Sequence, residues 1–513
     1  MKKLIALVLF VICVMTLVGC NNRSMNHIIQ NEPNITGIVK SITNESFLME
    51  NETGEYWVSL KVENKDSILN YIRNFRKDVY TIKTTIKKMD YEKVMALPRP
   101  KHKMPRKPGM FWRGLIRFLT VFGLMGTRFR YETQGFELLE KDEPCLILMN
   151  HTCFQDMEVA YRILFPRPVN IVCSNDGFIG FFGLMEWLMR SIGCIPTQKF
   201  VSDLRLVRDM DYCFKTLKSS VLMYPEACYS FDGTATTLPA KMGILLKKHD
   251  VPVIMIETFG AFGRNPLYNE LKIRRHVPIT AKAKVLYTRE EIREKTVREL
   301  TEGVEAAFGF DHFKWQKEQN LHIDQPFRAD GLHRILYKCV HCGAEGQMEG
   351  RGTQITCNHC GKSWELTTLG ELKATEGETE ISHIPDYYRW ERQQVRQDIL
   401  DGNYKLDADV EIAMQVDYKA IYKVGEGHLI HDNTGFTLTG CDGKLRYTQK
   451  PQAGFGLYAD YYWYEIGDVI CIGDTDVHYF LFPKGGEPVA KIRLATEEMF
   501  KLYKERKLNI SKD

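Results

Sequence analysis

The run PCLILMN at residues 144–150, followed directly by HTCFQD at 151–156, has the pattern of a buried strand that leads into a helix. Three further short apolar runs come after it, VNIVCS (169–174), SVLMYP (220–225) and VPVIMIE (251–257). Each is followed by a polar or amphipathic segment, and this alternation is typical of an α/β layer with a largely buried sheet. The fold class that we predict from about residue 132 to 325 is therefore α/β.

Length and composition place the chain among soluble, core-forming proteins. Its 513 residues suggest roughly three domains, since a domain has about 150 residues. Hydrophobic residues at 44% and charged residues at 26% exclude wholesale disorder and collagen-like repeats. The 69 Lys and Arg against 65 Asp and Glu give a net charge of +4, which by itself does not indicate a nucleic-acid binder. A mean hydropathy of −0.28 argues against a multispanning membrane protein.

The first 20 residues have the form of an export signal. A charged start is followed by the apolar segment Leu4–Val18, and LVGC at 17–20 resembles a bacterial lipobox. An uncleaved membrane anchor is the alternative. Residues 21–88 are predicted to form a small β unit, because alternating apolar runs occupy 34–60, and no role is assigned to it.

A basic, proline-rich stretch precedes the α/β region. RPKHKMPRKPG at 99–109 cannot be helical and is predicted to be a linker. Behind it, apolar residues that include Phe111, Phe118 and Phe122 recur at helical spacing. An apolar, aromatic helix behind a basic linker fits a helix that lies in a membrane interface. An ordinary amphipathic core helix is the alternative.

His151 and Asp156 form the first candidate catalytic pair. Five residues apart, they do not share a helix face, so we expect His151 in the turn after the strand and Asp156 in the first helical turn. There the carboxylate accepts a hydrogen bond from one imidazole nitrogen and leaves the other free as a base. A histidine that merely caps the helix is the alternative.

Two more motifs follow in order, GCIPTQK at 193–199 and YPEACYSFDG at 224–233. With NHTCFQD at 150–156 they resemble the motifs of the glycerolipid acyltransferase superfamily, which includes lysophosphatidic acid acyltransferases. The resemblance covers about residues 105–325 and rests on matches to the motifs NHxxxxD, GxIFIxR, FPEGTRSxxG and VPVxP. The matching residues are Asn150, His151, Asp156, Gly193, Ile195, Tyr224, Pro225, Glu226, Ser230, Gly233, Val251, Pro252 and Val253.

Some positions depart from the family pattern. Ala227, Cys228 and Tyr229 stand where the family has glycine, threonine and arginine, and Lys199 stands at the second motif's arginine. The family's third-motif arginine is thought to hold the acceptor's phosphate, and a tyrosine supplies no charge. The resemblance assigns five residues to the acceptor site, with the two lysines as the remaining cations: Gly193, Lys199, Glu226, Tyr229 and Lys241.

The resemblance implies direct acyl transfer in bacterial phospholipid biosynthesis. His151 would take the proton of an acceptor hydroxyl while that oxygen attacks the thioester of acyl-CoA or acyl-carrier protein, and backbone amides would bind the oxyanion. The acceptor would be a lysophospholipid, with 1-acyl-glycerol-3-phosphate favoured. Cys153 and Cys228 are interpreted as structural thiols. The alternative is a catalytically decayed membrane adaptor that binds partners through its C-terminal domains.

The cysteine pairs CVHC (339–342) and CNHC (357–360) predict a zinc ribbon over residues 335–368. Each pair is followed by glycine, and residues 343–356 separate them, a spacing that suits a metal site with four cysteine ligands. Four thiolates fill a tetrahedral shell, so the predicted Zn²⁺ is structural. The ligands would be Cys339, Cys342, Cys357 and Cys360. Two disulfides are the less favoured interpretation.

The C-terminal part is predicted to be mostly β. A polar helix at 385–402 leads into short strands over 405–513 and a final helix, an order that resembles a pleckstrin-homology-like barrel. VAKIRL at 489–494 is one of the runs predicted as a strand. No loop is strongly basic, so docking or packing is as well supported as lipid binding, and no nucleic-acid partner is expected.

The expected location is the cytoplasmic face of the membrane, but the N-terminus leaves export open. A lipobox exports a protein, whereas thioester donors and reduced zinc thiolates belong to the cytoplasm. Either the signal acts as an anchor with the enzyme inside, or residues 1–88 are a segment joined to an enzyme that starts near Met89. The change in composition there favours the second explanation.

Overall fold

The computed structural model describes residues 38–42, 46–51, 54–59, 86–180, 184–269, 272–274, 276–463 and 466–510. The chain divides between Lys87 and Lys88 into two compact units. In the first, three strands form an antiparallel meander: β1 (Ile38–Ile42), β2 (Ser46–Asn51) and β3 (Gly54–Ser59). A short strand, β4 (Ile86–Lys88), follows. The predicted export signal at residues 1–20 lies outside the described residues.

The second unit begins with a short helix and the basic stretch. Helix α1 (Tyr91–Met95) is followed by residues 99–109, which have no regular structure, as the prolines predicted. Helix α2 (Met110–Gly123) then buries Ile116, Leu119 and Thr120 and leaves Phe111, Phe118 and Phe122 exposed. Within the part of the chain that the structure describes, no helix is long and apolar enough to cross a membrane.

A seven-stranded sheet forms the centre of the predicted α/β region. Its strands are β5 (Arg130–Gln134), β6 (Leu146–Met149), β7 (Val169–Ser174), β8 (Cys194–Thr197), β9 (Ser220–Met223), β10 (Val253–Phe259) and β11 (Thr280–Tyr287). Their order across the sheet is β5-β11-β10-β6-β9-β7-β8. The five strands from β10 to β8 are parallel to one another. The predicted α/β class is confirmed.

Helices connect and cover this sheet. They are α3 (Asp156–Leu164), α4 (Leu184–Ser191), α5 (Leu204–Tyr212), α6 (Met242–His249), α7 (Ala261–Arg264), α8 (Arg289–Glu294), α9 (Val297–Ala307) and α10 (His312–Glu318). Strand β6 lies inside and is completely buried, with Ile147 and Met149 in the core on one face and Leu146 and Leu148 in the core on the other. Such burial on both faces is why its sequence is a continuous apolar run.

The parallel arrangement brings the three motifs to one edge of the sheet. His151 follows β6, Glu226 follows the neighbouring β9, and Lys199 follows β8. Because parallel strands end at the same edge, the segments after β6, β8 and β9 lie together there. The fold therefore collects residues that are up to about 75 positions apart into one place.

A small four-stranded sheet carries the cysteine pairs. Its strands follow one another in order as β12 (Met348–Arg351), β13 (Gln354–Cys357), β14 (Ser363–Leu366) and β15 (Leu372–Ala374). Helix α11 (Ile384–Leu400) comes next, where a polar helix was predicted. The core of the small sheet is continuous with that of the C-terminal region, since Trp364 and Tyr387 belong to the same buried cluster as Val410 and Leu481.

The C-terminal region is largely β with a final helix, as predicted. Its strands are β16 (Leu406–Gln415), β17 (Ile421–Asp432), β18 (Gly435–Gly440), β19 (Leu445–Gln449), β20 (Tyr458–Trp463), β21 (Gly467–Gly473) and β22 (His478–Pro483). The order is β19-β18-β17-β16-β22-β21-β20, so among the described residues this sheet is open and not the closed barrel that we expected. The connection from β19 to β20 packs against Phe200 instead of bringing these two strands together.

The prediction of a strand at VAKIRL was wrong. Residues 489–494 are the first turns of α12 (Val489–Ile510), which begins directly after Pro488. Residues 492–499 are all buried, including Arg493, Glu497 and Glu498. A helix that is buried on every side shows no apolar stripe of period 3.6, so local alternation was mistaken for a strand.

Candidate active site

His151 and Asp156 meet as the sequence predicted. The imidazole Nδ1 lies 3.2 Å from Oδ2 of Asp156, and Asp156 is the first residue of α3. The carboxylate is completely buried, whereas the His151 side chain keeps 19% of its surface exposed. Since a carboxylate accepts hydrogen bonds, Nδ1 carries the proton and Nε2 is left with its lone pair.

The Asp156 carboxylate is also held from other directions. Its Oδ2 accepts the backbone N–H groups of Thr152 at 2.6 Å and Cys153 at 2.9 Å. Its Oδ1 accepts the hydroxyl of Thr152 at 3.0 Å, and the Thr258 hydroxyl, which it shares with Asn150, lies 3.3 Å away. The backbone amides of Thr152 and Cys153 are therefore engaged with Asp156, so the predicted oxyanion donors would have to be other backbone amides.

Asn150 connects β6 to β10 beside the His151–Asp156 pair. Its Oδ1 accepts the Thr258 backbone N–H at 2.8 Å and the Thr258 hydroxyl at 3.1 Å, and its Nδ2 donates to the Thr258 carbonyl at 3.2 Å. Asn150 and Thr258 are both buried. Sequence reasoning missed Thr258, because its position in an apolar strand carries no motif of its own.

Burial sets the protonation of the site histidine. Removal from water lowers the pKa of His151, although its hydrogen bond to Asp156 and the charge of that carboxylate act in the opposite direction. The imidazole ring stacks on Tyr224, with the ring centroids 3.9 Å apart, and contacts Tyr229 at 4.3 Å. His151 is therefore a neutral base held between two aromatic rings.

Glu226 joins the first motif to the third. Its Oε1 accepts the backbone N–H of His151 at 2.9 Å, and its Oε2 accepts the N–H of Thr236 at 2.7 Å. The residue is 1% exposed, and burial raises the pKa of its carboxyl group to about 7. In this structure Glu226 joins the backbone at His151 to the backbone at Thr236, and direct contact with an acceptor stays a prediction.

The third-motif loop keeps a strained backbone at the family's glycine position. Ala227 has a φ of 58°, in the left-handed region that glycine adopts most readily. The loop is nonetheless bonded, since Ala227 N–H donates to the Tyr224 carbonyl and Ser230 N–H donates to the His151 carbonyl at 2.8 Å. The departures from the motif leave Glu226 and His151 connected.

The other three predicted acceptor residues have different surroundings. Lys199 is half-buried, with Nζ 3.7 Å from the ring centroid of Tyr458, and its charge acts on His151. Gly193, at φ 93°, packs against Pro108 and the Val169 carbonyl, so it shapes the start of β8. Lys241 is exposed and precedes α6, and no contact in the structure links it to His151.

The two motif cysteines behave as buried structural thiols. Cys153 and Cys228 are 3% and 2% exposed. Burial raises the pKa of Cys228 to about 11 and raises the pKa of Cys153 as well. A thiol is a nucleophile only as the thiolate, so neither residue is activated for acyl-enzyme chemistry.

The four predicted metal ligands come together in the small sheet. The Sγ atoms of Cys339, Cys342, Cys357 and Cys360 all lie within 4.8 Å of one another. The two pairs on opposite sides, Cys339 with Cys360 and Cys342 with Cys357, are 3.9 and 3.8 Å apart. A tetrahedral Zn²⁺ with Zn–S bonds of about 2.3 Å separates its sulfurs by about 3.8 Å, so the cluster fits that ion.

The glycine after each cysteine pair explains the matching turns. Gly343 and Gly361 have φ of 76° and 78°, and their N–H groups donate to the carbonyls of Cys339 and Cys357, both at 2.8 Å. His341 bonds Glu380 at 2.8 Å and is not part of the thiol cluster. The cluster is therefore built from two equivalent knuckles, as the sequence predicted.

Comparison with known proteins agrees with the motifs. The profile of the Acyltransferase family matches residues 130–256, which span β5 to β10 and contain His151, Asp156 and Glu226. Residues 130–256 are an acyltransferase domain. The match confirms the superfamily that the motifs resemble.

A solved structure is also similar to part of this chain. It is the 1-acyl-sn-glycerophosphate (LPA) acyltransferase PlsC from Thermotoga maritima, with 16% sequence identity. The alignment covers 38% of this chain and 78% of that chain, with a TM-score of 0.27. Similarity at this level does not transfer a substrate from that protein to this chain.

Proposed function

We propose that this chain is an O-acyltransferase that moves a fatty acyl group from acyl-CoA or acyl-carrier protein to a lysophospholipid in phospholipid biosynthesis. The favoured acceptor is 1-acyl-glycerol-3-phosphate. The observation that carries the proposal is the His151–Asp156 pair, in which the buried carboxylate fixes Nδ1 and leaves Nε2 as a base.

The reaction needs one proton acceptor and no covalent enzyme intermediate. His151 Nε2 takes the proton of the acceptor hydroxyl while the hydroxyl oxygen attacks the thioester carbonyl carbon. The new C–O bond forms, the C–S bond breaks, and the thiolate leaves with the proton that His151 returns. The raised pKa of the buried Cys153 and Cys228 thiols supports direct transfer over an acyl-cysteine intermediate.

Zinc is proposed as the ion of the cysteine cluster. Its role is structural, because four thiolates occupy the tetrahedral shell and leave no position for a substrate. Cys339, Cys342, Cys357 and Cys360 would hold it, and Cys339 and Cys357 belong to the buried cluster that also contains the C-terminal core. The ion therefore stabilises the fold behind the acyltransferase domain and takes no part in acyl transfer.

A membrane-associated location on the cytoplasmic face belongs to the same proposal. It is supported by the exposed side chains of Phe111, Phe118 and Phe122 on α2, which are 53%, 54% and 41% exposed, directly after the basic stretch. Aromatic side chains next to basic residues suit the boundary of an anionic bilayer. A thioester donor and reduced thiolates favour the cytoplasmic side.

One assay separates the enzyme from a decayed adaptor. Purified full-length protein is mixed with an acyl thioester and a panel of lyso-lipids, and both free thiol and acylated lipid are measured. The proposal predicts one thiol released per lipid acylated, with release that depends on the acceptor. No thiol release with any acceptor would support the adaptor, whereas release that no acceptor stimulates would show thioester hydrolysis and contradict acyl transfer.

A further inference from the structure

The C-terminal sheet reaches into the acceptor side of the candidate site at Lys199. The Tyr458 ring, 4% exposed and at the start of β20, lies under the Lys199 ammonium, whose Nζ is 3.7 Å from the ring centroid. The residue after Lys199, Phe200, packs against Phe455 with ring centroids 5.1 Å apart. A Cβ at Gly456 would lie 2.6 Å from the Phe200 ring, so the two segments are in tight contact.

A second contact joins the final helix to Tyr229. Arg493 on α12 is 2% exposed, and its Nη1 donates to the Tyr229 carbonyl at 3.4 Å. Its guanidinium lies 4.1 Å from the ring centroid of Phe231. The Tyr229 ring in turn contacts the His151 imidazole. A residue more than 260 positions away thus supports the loop that flanks the catalytic histidine.

Arg493 belongs to a buried ionic network that fixes this arrangement. Its Nε bonds Glu497 at 3.2 Å, and Glu497 also accepts from Arg392 of α11 at 2.7 Å and from the Thr237 hydroxyl at 3.2 Å. Glu497 is 2% exposed, and a buried charge is stable only when it is paired, so the loss of one partner would destabilise the others. Thr237 follows the third motif, and the network therefore attaches this segment to the C-terminal helices at Tyr229 and again at Thr237.

We propose that the C-terminal region positions the acceptor-binding residues of the acyltransferase domain, with Tyr458 acting on Lys199 and Arg493 acting on Tyr229. The proposal rests on the acyltransferase function. Tyr458 and Arg493 are positioning residues, since they act through Lys199 and Tyr229. The C-terminal sheet is in this view a part of the acceptor site, and recognition of the acceptor requires it.

The test compares paired variants of the full-length chain. Tyr458→Leu removes the aromatic face below Lys199, whereas Tyr458→Phe keeps it. The KM for the lyso-lipid acceptor should rise about 2- to 30-fold in Tyr458→Leu, the range that corresponds to a cation–π contact. The KM for the acyl thioester should stay unchanged, and Tyr458→Phe should resemble the wild type.

Arg493 is tested in the same way. Arg493→Gln should lower kcat/KM for the acceptor more than for the donor, and Arg493→Lys should restore part of the loss because it keeps the charge beside Glu497. Tyr462→Leu is the matched control for Tyr458→Leu. Tyr462 lies on the same strand, β20, but its ring stacks on Arg334, with 4.0 Å from the guanidinium to the ring centroid. Zinc content and melting temperature identify variants that fail to fold.

Three results are distinguishable. If Tyr458→Leu leaves the acceptor KM unchanged in an active, folded protein, the inference is overturned and the acyltransferase function stands. Equal changes in donor and acceptor KM, like those of Tyr462→Leu, also overturn it, because they show a general structural effect. If the wild-type chain transfers no acyl group, the proposed function fails and the inference fails with it. If Arg493→Gln does not fold, the Tyr458 pair alone decides between these results.

Discussion

The Asp156 carboxylate binds His151 Nδ1 at 3.2 Å and, with the same oxygen, the backbone N–H of Thr152 at 2.6 Å. One carboxylate therefore fixes both the imidazole and the turn that carries it. The helix that starts at Asp156 adds to this, because its N-terminal end favours a negative charge. The connection between β6 and α3 therefore fixes the orientation of the His151 side chain.

The pH dependence of His151 follows from its burial. Only the neutral imidazole accepts a proton, and burial lowers its pKa below the ordinary 6.5, so the neutral form should persist below pH 6.5. Asp156→Asn removes the carboxylate charge that raises this pKa. The titration midpoint should then move lower still, and kcat should fall. NMR titration of the His151 imidazole, assigned by its absence from His151→Ala, checks both points. A midpoint above 6.5, or an upward shift in Asp156→Asn, contradicts the account.

Zinc content tests the cysteine cluster. We expect one zinc per chain in protein purified without chelator, and its loss in Cys357→Ser. Chelation should unfold the small sheet before the acyltransferase domain, because a structural zinc supplies much of the folding energy of such a module. Metal analysis with thermal unfolding measures both effects. Cys441→Ser is the control, since Cys441 is a buried cysteine outside the cluster. Metal-free wild type, or unchanged zinc in Cys357→Ser, rules the site out.

Membrane attachment should depend on α2 and not on the first 88 residues. We expect a chain that starts at Met89 to remain active and to sediment with anionic vesicles. Replacing both Phe118 and Phe122 by serine should weaken that binding, because their exposed rings are the apolar surface that would enter the bilayer. Leu204→Ser is the matched control, since Leu204 is 75% exposed on a different helix. If the chain that starts at Met89 is inactive and does not bind the vesicles, while the full-length chain is active, this assignment is wrong.

Tyr229 should influence the choice of acceptor. It stands where the family has a phosphate-binding arginine, and a bidentate charged contact is about twice as strong as a neutral hydrogen bond. Tyr229→Arg should therefore raise kcat/KM for lysophosphatidic acid relative to acceptors with larger or uncharged headgroups. The comparison is made for both proteins on both acceptor types. An unchanged or lower ratio would show that Tyr229 is no specificity determinant.

The sequence predicted the parts of the site that depend on local order. The apolar runs marked β6, β7, β9 and β10, and the spacing of His151 and Asp156 predicted their contact across one turn. The cysteine pairs predicted the thiol cluster for the same reason, because each knuckle closes within a few residues. Residues only a few positions apart can adopt few arrangements, so a sequence pattern is enough to predict their contact.

Contacts between distant segments could not be predicted. Thr258 meets Asp156 from 102 positions away, and Arg493 meets Tyr229 from 264 positions away. These pairs are set by the order of strands in the sheet and by the packing of α12. The burial of residues 492–499 on every side also removed the periodicity by which the start of that helix would have been recognised.

The most direct test of acyl transfer by His151 is thiol release with His151→Ala beside a matched control. His249 provides the control, because its Nδ1 bonds Asp211 at 2.7 Å in another His–Asp pair, in which the histidine is buried and the aspartate partly exposed. His151→Ala should lower kcat by about 10²–10⁴-fold with an unchanged melting temperature, whereas His249→Ala should retain activity in whatever fraction folds. Turnover near that of the wild type in His151→Ala would contradict the mechanism.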